Sequence, residues 1–269
     1  MKMSKGLETG KVMRRTVAAT LPLDYYLYLP ESGIKEQRVF VTIHGISRNA
    51  REHAEGFAVQ AERYGAAIVA PLFPEDDFPR YQRLGNSVHE GRADSAFDRI
   101  MHDAAELIGC DPLPLRGFGF SGGGQFLHRY ALFYPRRVER MVVGAPGWYT
   151  FPDPSQRYPL GLRSSKEWPR LRFNPVRFLS IPTVVLVGEE DDIRDEDLNK
   201  SRRIDAVQGL NRVERGRRWV HAMNALARAY QVPAQFRCEI IPNASHAYES
   251  YHAHPAFTER VFTHLFGVV

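Results

Sequence analysis

A short stretch near the middle of the chain has the spacing of a nucleophilic serine site, because Gly119, Ser121 and Gly123 form a G-x-S-x-G pattern. The residues before it predict a buried strand and those after it a helix. On so sharp a turn a side chain at either flanking position would clash, so glycine occupies both. The turn would expose the Ser121 hydroxyl and point the backbone N–H of Gly122 at a developing oxyanion. The pattern alone arises by chance in roughly one chain in ten of this length, as a Gly-rich turn with an incidental serine. The interpretation as a nucleophile elbow therefore depends on its neighbours and its partners.

A serine nucleophile needs a general base, and the chain offers ten histidines. His246 follows the last predicted strand by a few residues, where it can turn back over the sheet toward Ser121. His252 and His254 lie closer to the last helix and are interpreted as solvent-facing loop residues. His128 is on the helix after Ser121 but points away from the turn, so it is interpreted as structural. His246 is therefore the predicted base.

The base needs a carboxylate to orient it, and an acidic segment follows the predicted strand 183–188. A turn through Gly188 would bring the third or fourth following residue back toward the sheet, which favours Asp191. Asp192 and Asp195 remain alternatives, and most of the acidic segment is expected to be solvated. The chain order nucleophile, acid, base is the order typical of one hydrolase fold.

A second oxyanion donor is expected from the loop after the predicted strand 38–43. Gly45 would let the backbone approach closely, and the N–H of Ile46 is the candidate donor beside that of Gly122. His44 is interpreted as bracing this loop through hydrogen bonds. An ordinary turn after the strand is the alternative.

Strand and helix patterns alternate along the chain, which predicts a mostly parallel sheet with helices on both faces. We predict one domain over residues 1–269, with an irregular, proline-rich and lid-like excursion at 145–180. Ligand sites in such sheets lie beyond the carboxyl ends of the strands, where the candidate residues also fall. The predicted strands are 16–19, 24–29, 38–43, 66–70, 115–120, 140–144, 183–188 and 235–241, and the main predicted helices are 51–64, 94–108, 122–133, 215–230 and 255–266.

Composition excludes several other classes. The net charge is +5, but the basic residues are scattered without interleaved aromatics, so no nucleic-acid partner is predicted. Two cysteines, Cys110 and Cys238, are too few for a disulfide framework, and no metal or organic cofactor is expected. No apolar run has the length of a signal peptide or membrane span, so we predict a cytoplasmic protein without a membrane partner.

With these residues in place, the whole chain resembles the α/β-hydrolase family. The resemblance lies in His44-Gly45, the elbow, the segment 188–191 and His246. More narrowly, the chain is similar to the polyhydroxybutyrate-depolymerase-like and feruloyl-esterase-like branch, through motifs at 41–49, 121–125 and 147–150. The resemblance implies a serine hydrolase on an eight-stranded sheet. Because the chain lacks the signal peptide and polymer-binding module of secreted depolymerases, a small soluble ester is the expected substrate.

Aromatic residues that follow strand ends are candidates for the substrate pocket. Trp148 and Tyr149 are expected either to wall the pocket or to pack the excursion onto the core. Phe73, with Phe78 and Tyr81, is the candidate for the opposite wall. Such a pocket favours an uncharged or weakly polar acyl group.

Three functions are consistent with the sequence. The first is a carboxylic-ester hydrolase, the second an amidase or peptidase with the same triad, and the third a ligand-binding protein on a hydrolase scaffold. Fold alone does not decide between them. The oligomeric state is left open, with a homodimer among the alternatives.

Overall fold

The computed structural model describes residues 7–18, 21–85, 92–166, 168 and 172–268. Within them, eight strands form one sheet in the order β1-β2-β4-β3-β5-β6-β7-β8. Strand β2 runs antiparallel to both of its neighbours, and the strands from β4 to β8 are parallel. The predicted mostly parallel, eight-stranded sheet is confirmed. The strands are β1 (Val12–Val17), β2 (Leu23–Tyr28), β3 (Val39–Ile43), β4 (Ala67–Pro71), β5 (Leu115–Phe120), β6 (Val138–Gly144), β7 (Thr183–Gly188) and β8 (Phe236–Ile241).

Helices cover both faces of the sheet, as predicted. Buried side chains of α3, α4 and α7 form the core on one face, and those of α1, α2, α8 and α9 form the core on the other. No helix in these described ranges is both long and apolar enough to cross a membrane. The helices are α1 (Ala50–Gly56), α2 (Ala58–Tyr64), α3 (Ala93–Ile108), α4 (Gly122–Phe133), α5 (Pro175–Leu179), α6 (Arg202–Gln208), α7 (Arg212–Ala229), α8 (Tyr248–Ala253) and α9 (Phe257–Phe266).

Several predicted boundaries are wrong. The first strand was expected at 16–19 but occupies Val12–Val17, because Val17 pairs with Leu23 and the turn follows directly. Residue 19 of that prediction lies outside the described residues. The single helix expected at 51–64 is two helices, which meet at Phe57, a fully buried core residue. The short helices α5, α6 and α8 were not predicted.

The parallel strands bring the candidate segments to one edge of the sheet. Strand β5 lies between β3 and β6, so the turn after Phe120 is central. The loops after β7 and β8 are tied together, since Glu190 donates its backbone N–H to the carbonyl of Ala244 at 2.9 Å. Four segments that are distant in sequence therefore meet at the carboxyl ends of β3, β5, β7 and β8.

The segment 145–180 leaves the sheet after β6, and its described residues include the short helix α5. Its described residues pack on the far end of α4: Tyr158 and Trp168 contact Phe133, with ring centroids 5.1 and 4.4 Å apart. The hydroxyl of Thr150 accepts a hydrogen bond from Arg129 of α4 at 3.0 Å. The excursion is thus anchored along the helix that follows the elbow.

Candidate active site

The turn between β5 and α4 has the conformation of a strained elbow. Ser121 has φ 49° and ψ −111°, a region that costs a non-glycine residue about 1–3 kcal/mol. The sheet holds it there, because the backbone N–H of Ser121 donates to the carbonyl of Gly144 at 2.7 Å. A Cβ atom on Gly123 would collide with the carbonyl of Ile43, and one on Gly119 with the carbonyl of Gly123. Both flanking glycines are therefore required by the close approach of the backbone.

Three side chains from separate loops form a continuous hydrogen-bonded chain. Nε2 of His246 lies 3.1 Å from Oγ of Ser121, and Nδ1 of His246 lies 2.8 Å from Oδ2 of Asp191. The ring of His246 stacks on Phe120 with centroids 5.4 Å apart. If Nδ1 carries the proton and donates it to the carboxylate, the Nε2 lone pair faces the serine hydroxyl. The arrangement can remove a proton from Ser121.

The carboxylate of this chain is held by a buried arginine that sequence reasoning missed. Arg212, at the first turn of α7, places Nη1 3.1 Å from Oδ1 of Asp191, and both side chains are 1% exposed. The helix was expected to begin at 215, which left Arg212 in a loop. The missed signal is a helix N-cap: Asn211 accepts a hydrogen bond from the backbone N–H of Glu214 at 2.9 Å.

The two alternative acids lie elsewhere. Asp192 is exposed. Asp195 binds the guanidinium of Arg212 through both of its oxygens, at 2.5 and 3.0 Å. Partial burial raises the pKa of Asp195, but the hydrogen bonds and charge of Arg212 outweigh burial, so this pKa lies below its usual value. Asp195 therefore stays ionised and shares the arginine with Asp191.

The loop after β3 lies directly against the elbow. A Cβ on Gly45 would be 3.5 Å from Cβ of Ser121, and a Cβ on Gly122 would be 3.3 Å from Cγ2 of Ile46. Gly122 is the first residue of α4, so its N–H has no acceptor within the helix. The backbone N–H groups of Gly122 and Ile46 therefore belong to adjoining segments beside the serine.

His44 braces this loop from within the core, as predicted. Its Nε2 accepts the backbone N–H of Phe73 at 3.0 Å, and its Nδ1 donates to the carbonyl of Gly45 at 2.7 Å. Burial lowers the pKa of His44 to about 3, so the ring is neutral. The hydroxyl of Tyr81 donates to the carbonyl of His44 at 2.8 Å. Three hydrogen bonds thus fix the backbone before Ile46.

Other histidines have structural surroundings. His128 donates from Nδ1 to the carbonyl of Gly124 at 2.8 Å and accepts from the backbone N–H of Thr150 at 3.1 Å, which agrees with the predicted structural role. His252 was expected to face solvent, but its ring packs against Tyr248, with centroids 4.5 Å apart, and burial lowers its pKa to about 4. The unpredicted helix α8 places it there.

A cavity of about 400 Å³ opens beside the serine. It lies between the loop after β3, the elbow and the segment around α8. Among the described residues, its lining includes three carboxylate side chains and no lysine or arginine. The lining residues are Gly45, Ile46, Ser47, Asn49, Glu52, Phe120, Ser121, Asp197, His246, Ala247, Tyr248 and Glu249.

The predicted pocket residues do not line this cavity, and this includes Phe78 and Tyr81. Phe73 and Tyr149 are fully buried in the core, where Tyr149 stacks on Trp219 with centroids 4.9 Å apart. Trp148 is 6% exposed and lies between the guanidinium groups of Arg83 and Arg129, at 5.3 and 4.2 Å. For Trp148 and Tyr149 the structure matches the alternative role of packing the excursion onto the core. The prediction that Phe73 forms a wall of this cavity is wrong, because the hydrogen bond from its backbone N–H to His44 holds Phe73 in the core.

The strand order, the elbow and the loops at the carboxyl ends define the α/β-hydrolase fold. The sequence matches no protein-family model and no curated protein. Solved structures do match, and they agree with the fold expected from the sequence.

Two of these structures share 23% sequence identity with the chain. Poly(aspartic acid) hydrolase-1 from Sphingomonas sp. KT-1 matches with a TM-score of 0.80, covering 95% of this chain and 100% of its own. A poly(3-hydroxybutyrate) depolymerase from Bordetella parapertussis matches with a TM-score of 0.76, covering 97% of this chain and 92% of its own. A carboxylesterase from Bacillus subtilis is more distant, with 16% identity, a TM-score of 0.52, and coverage of 96% and 93%. All three are similar to this chain over nearly its full length.

Proposed function

We propose that this protein is a serine hydrolase that cleaves a carboxylic ester of a small soluble substrate. The observation that carries the proposal is the hydrogen-bonded chain from Ser121 through His246 to Asp191, at 3.1 and 2.8 Å. It lies at the mouth of a cavity that can hold a small ester. Fold neighbours named as an esterase and a depolymerase support the same reaction class.

In the proposed acylation, Oγ of Ser121 attacks the ester carbonyl carbon while Nε2 of His246 takes the hydroxyl proton. Asp191 accepts the Nδ1–H bond, which fixes the tautomer and stabilises the imidazolium. The N–H groups of Gly122 and Ile46 bind the tetrahedral oxyanion. The C–O bond to the alcohol then breaks, and His246 returns its proton to the leaving oxygen.

In the proposed deacylation, water takes the place of the alcohol. His246 removes a proton from the water as its oxygen attacks the acyl carbon. The second tetrahedral intermediate collapses, the bond to Oγ of Ser121 breaks, and the proton returns to the serine. The carboxylic acid leaves, and the steps use only these groups and water.

The test is hydrolysis of p-nitrophenyl esters from acetate to decanoate by the wild type and by Ser121→Ala. The wild type should turn over, and the variant should lose about 10⁵-fold or more of kcat. The chain-length optimum then measures the cavity. A folded wild type that is inert on every ester, or an alanine variant of equal activity, would refute the proposal.

Amide cleavage is the second candidate. It is favoured by the fold neighbour named for poly(aspartic acid), whose units are joined by amide bonds. The same groups could protonate an amine leaving group. Matched p-nitrophenyl ester and p-nitroanilide substrates with one acyl chain separate the two functions, and the ester is expected to be faster.

A further inference from the structure

The cavity beside Ser121 has a charge opposite to that of the whole chain. The chain has a net charge of +5, yet in the part of the chain that the structure describes the cavity is lined by Glu52, Asp197 and Glu249 and by no lysine or arginine. Within the described ranges, none of these three carboxylates forms an ion pair. Glu52 accepts one hydrogen bond, from the Asn49 amide at 2.9 Å. The negative charge of these three side chains is thus not neutralised by a neighbouring lysine or arginine among the described residues.

The acids come from three separate elements. Glu52 is in the first turn of α1, Asp197 is in the loop after β7, and Glu249 is in the first turn of α8. They are brought together only by the fold, around the opening that leads to Ser121. All three line the same cavity as Ser121, so a substrate bound there meets their negative charge.

An unpartnered hydroxyl lies on the same wall. Tyr248 lines the cavity, is 8% exposed, and its Oη has no hydrogen-bond partner in the described part of the chain. Its ring is fixed by stacking on His53, with centroids 4.1 Å apart and the planes 4° from parallel. Burial, together with the charges of Glu52 and Glu249, raises the pKa of this phenol, so it stays neutral on the carboxylate side of the cavity. A buried hydroxyl without a partner costs stability, which a bound ligand would recover.

Resting on the function proposed above, we propose that this cavity selects ester substrates whose acyl group carries an ammonium group. An ammonium donates three hydrogen bonds, which the carboxylates of Glu52 and Glu249 and the oxygen of Tyr248 can accept. The carboxylates also repel anionic substrates. This preference differs from the uncharged acyl group expected from the sequence, and it distinguishes this cavity from one suited to a polyanion.

The test compares three p-nitrophenyl esters of equal length: 6-aminohexanoate, heptanoate and 6-sulfohexanoate. Each exposed carboxylate should contribute a two- to fivefold preference, so the wild type should favour the amine over the alkyl ester by about tenfold in kcat/KM. The sulfonate should be the slowest of the three. Because salt screens exposed charges, the preference should shrink between 0.05 and 0.5 M NaCl.

Two variants assign the effect to the cavity. The double variant Glu52→Gln/Glu249→Gln should reduce the amine-to-alkyl ratio about fivefold or more. Glu55→Gln is the matched control, because Glu55 lies on the same helix, is exposed, and pairs with Arg51 away from the cavity. It should leave the ratio at the wild-type value. Tyr248→Phe should lower the ratio as well, by removing only the hydroxyl.

The outcomes separate this inference from the proposed function. If heptanoate is hydrolysed in a Ser121-dependent way but the amine is not preferred, the inference is overturned and the proposed function stands. The same holds if the double variant keeps the wild-type ratio. If the folded wild type hydrolyses none of the three esters, both the proposed function and the inference that rests on it are overturned.

Discussion

Replacement of Arg212 by methionine should damage both stability and activity, because this arginine holds the carboxylate behind His246. At 3.1 Å and an effective dielectric constant of about 20, its attraction to Asp191 is roughly 5 kcal/mol. Asp195 shares the charge, and removal of one partner of a buried pair costs about 3–5 kcal/mol. We therefore expect Arg212→Met to lower the free energy of unfolding by that amount.

The matched control is the exposed pair between Arg63 and Glu259, at 2.7 Å and with side chains 48% and 47% exposed. Arg63→Met should cost less than about 1 kcal/mol in urea unfolding. Below the unfolding transition, Arg212→Met should lower kcat more than tenfold with little change in KM. Arg212→Lys should restore part of both losses.

Equal unfolding curves for Arg212→Met and Arg63→Met would refute this reasoning. A less stable variant with unchanged kcat would leave Arg212 a purely structural role.

Three further predictions concern the fold around the site. Gly123→Ala should abolish ester hydrolysis and lower the melting temperature, since the added methyl meets the carbonyl of Ile43; an active variant would contradict the elbow geometry. Burial lowers the pKa of His44 to about 3 and that of His252 to about 4, so these two histidines bind protons more readily in the unfolded chain. The urea concentration at the unfolding midpoint should therefore fall as the pH drops below about 6.5. A midpoint that stays constant down to pH 4 would contradict the burial of both histidines. Phe73→Leu should cost about 1 kcal/mol of stability without moving the ester chain-length optimum, and a shifted optimum would restore Phe73 to the pocket.

The sheet and the elbow were predictable because their patterns are local. Apolar runs such as that of β7 identify buried strands, and their alternation with helices fixes which strand ends share an edge. The backbone on either side of Ser121 tolerates only glycine, so the motif can be recognised directly in the sequence. These features therefore led to the mostly parallel sheet and to the segments that meet at the serine.

The surroundings of the site were less predictable because they depend on contacts distant in sequence. Arg212 is one of many arginines, and nothing local marks it as the partner of Asp191, although the Asn211 cap would have placed it on a helix. Glu52 and Glu249 are nearly two hundred residues apart and belong to ordinary amphipathic segments. Phe73 was expected at the pocket because it follows a strand, but the hydrogen bond from its backbone to His44 holds it in the core.

The central claim is that Ser121 becomes acylated during turnover. The most direct measurement is rapid quenching of the wild type with p-nitrophenyl heptanoate, followed by mass spectrometry of the peptide that contains Ser121. One heptanoyl group per chain is expected on Ser121, formed at the rate of a p-nitrophenol burst and absent in Ser121→Ala. Ester turnover with no acyl group on Ser121, or with the label on another residue, would contradict it.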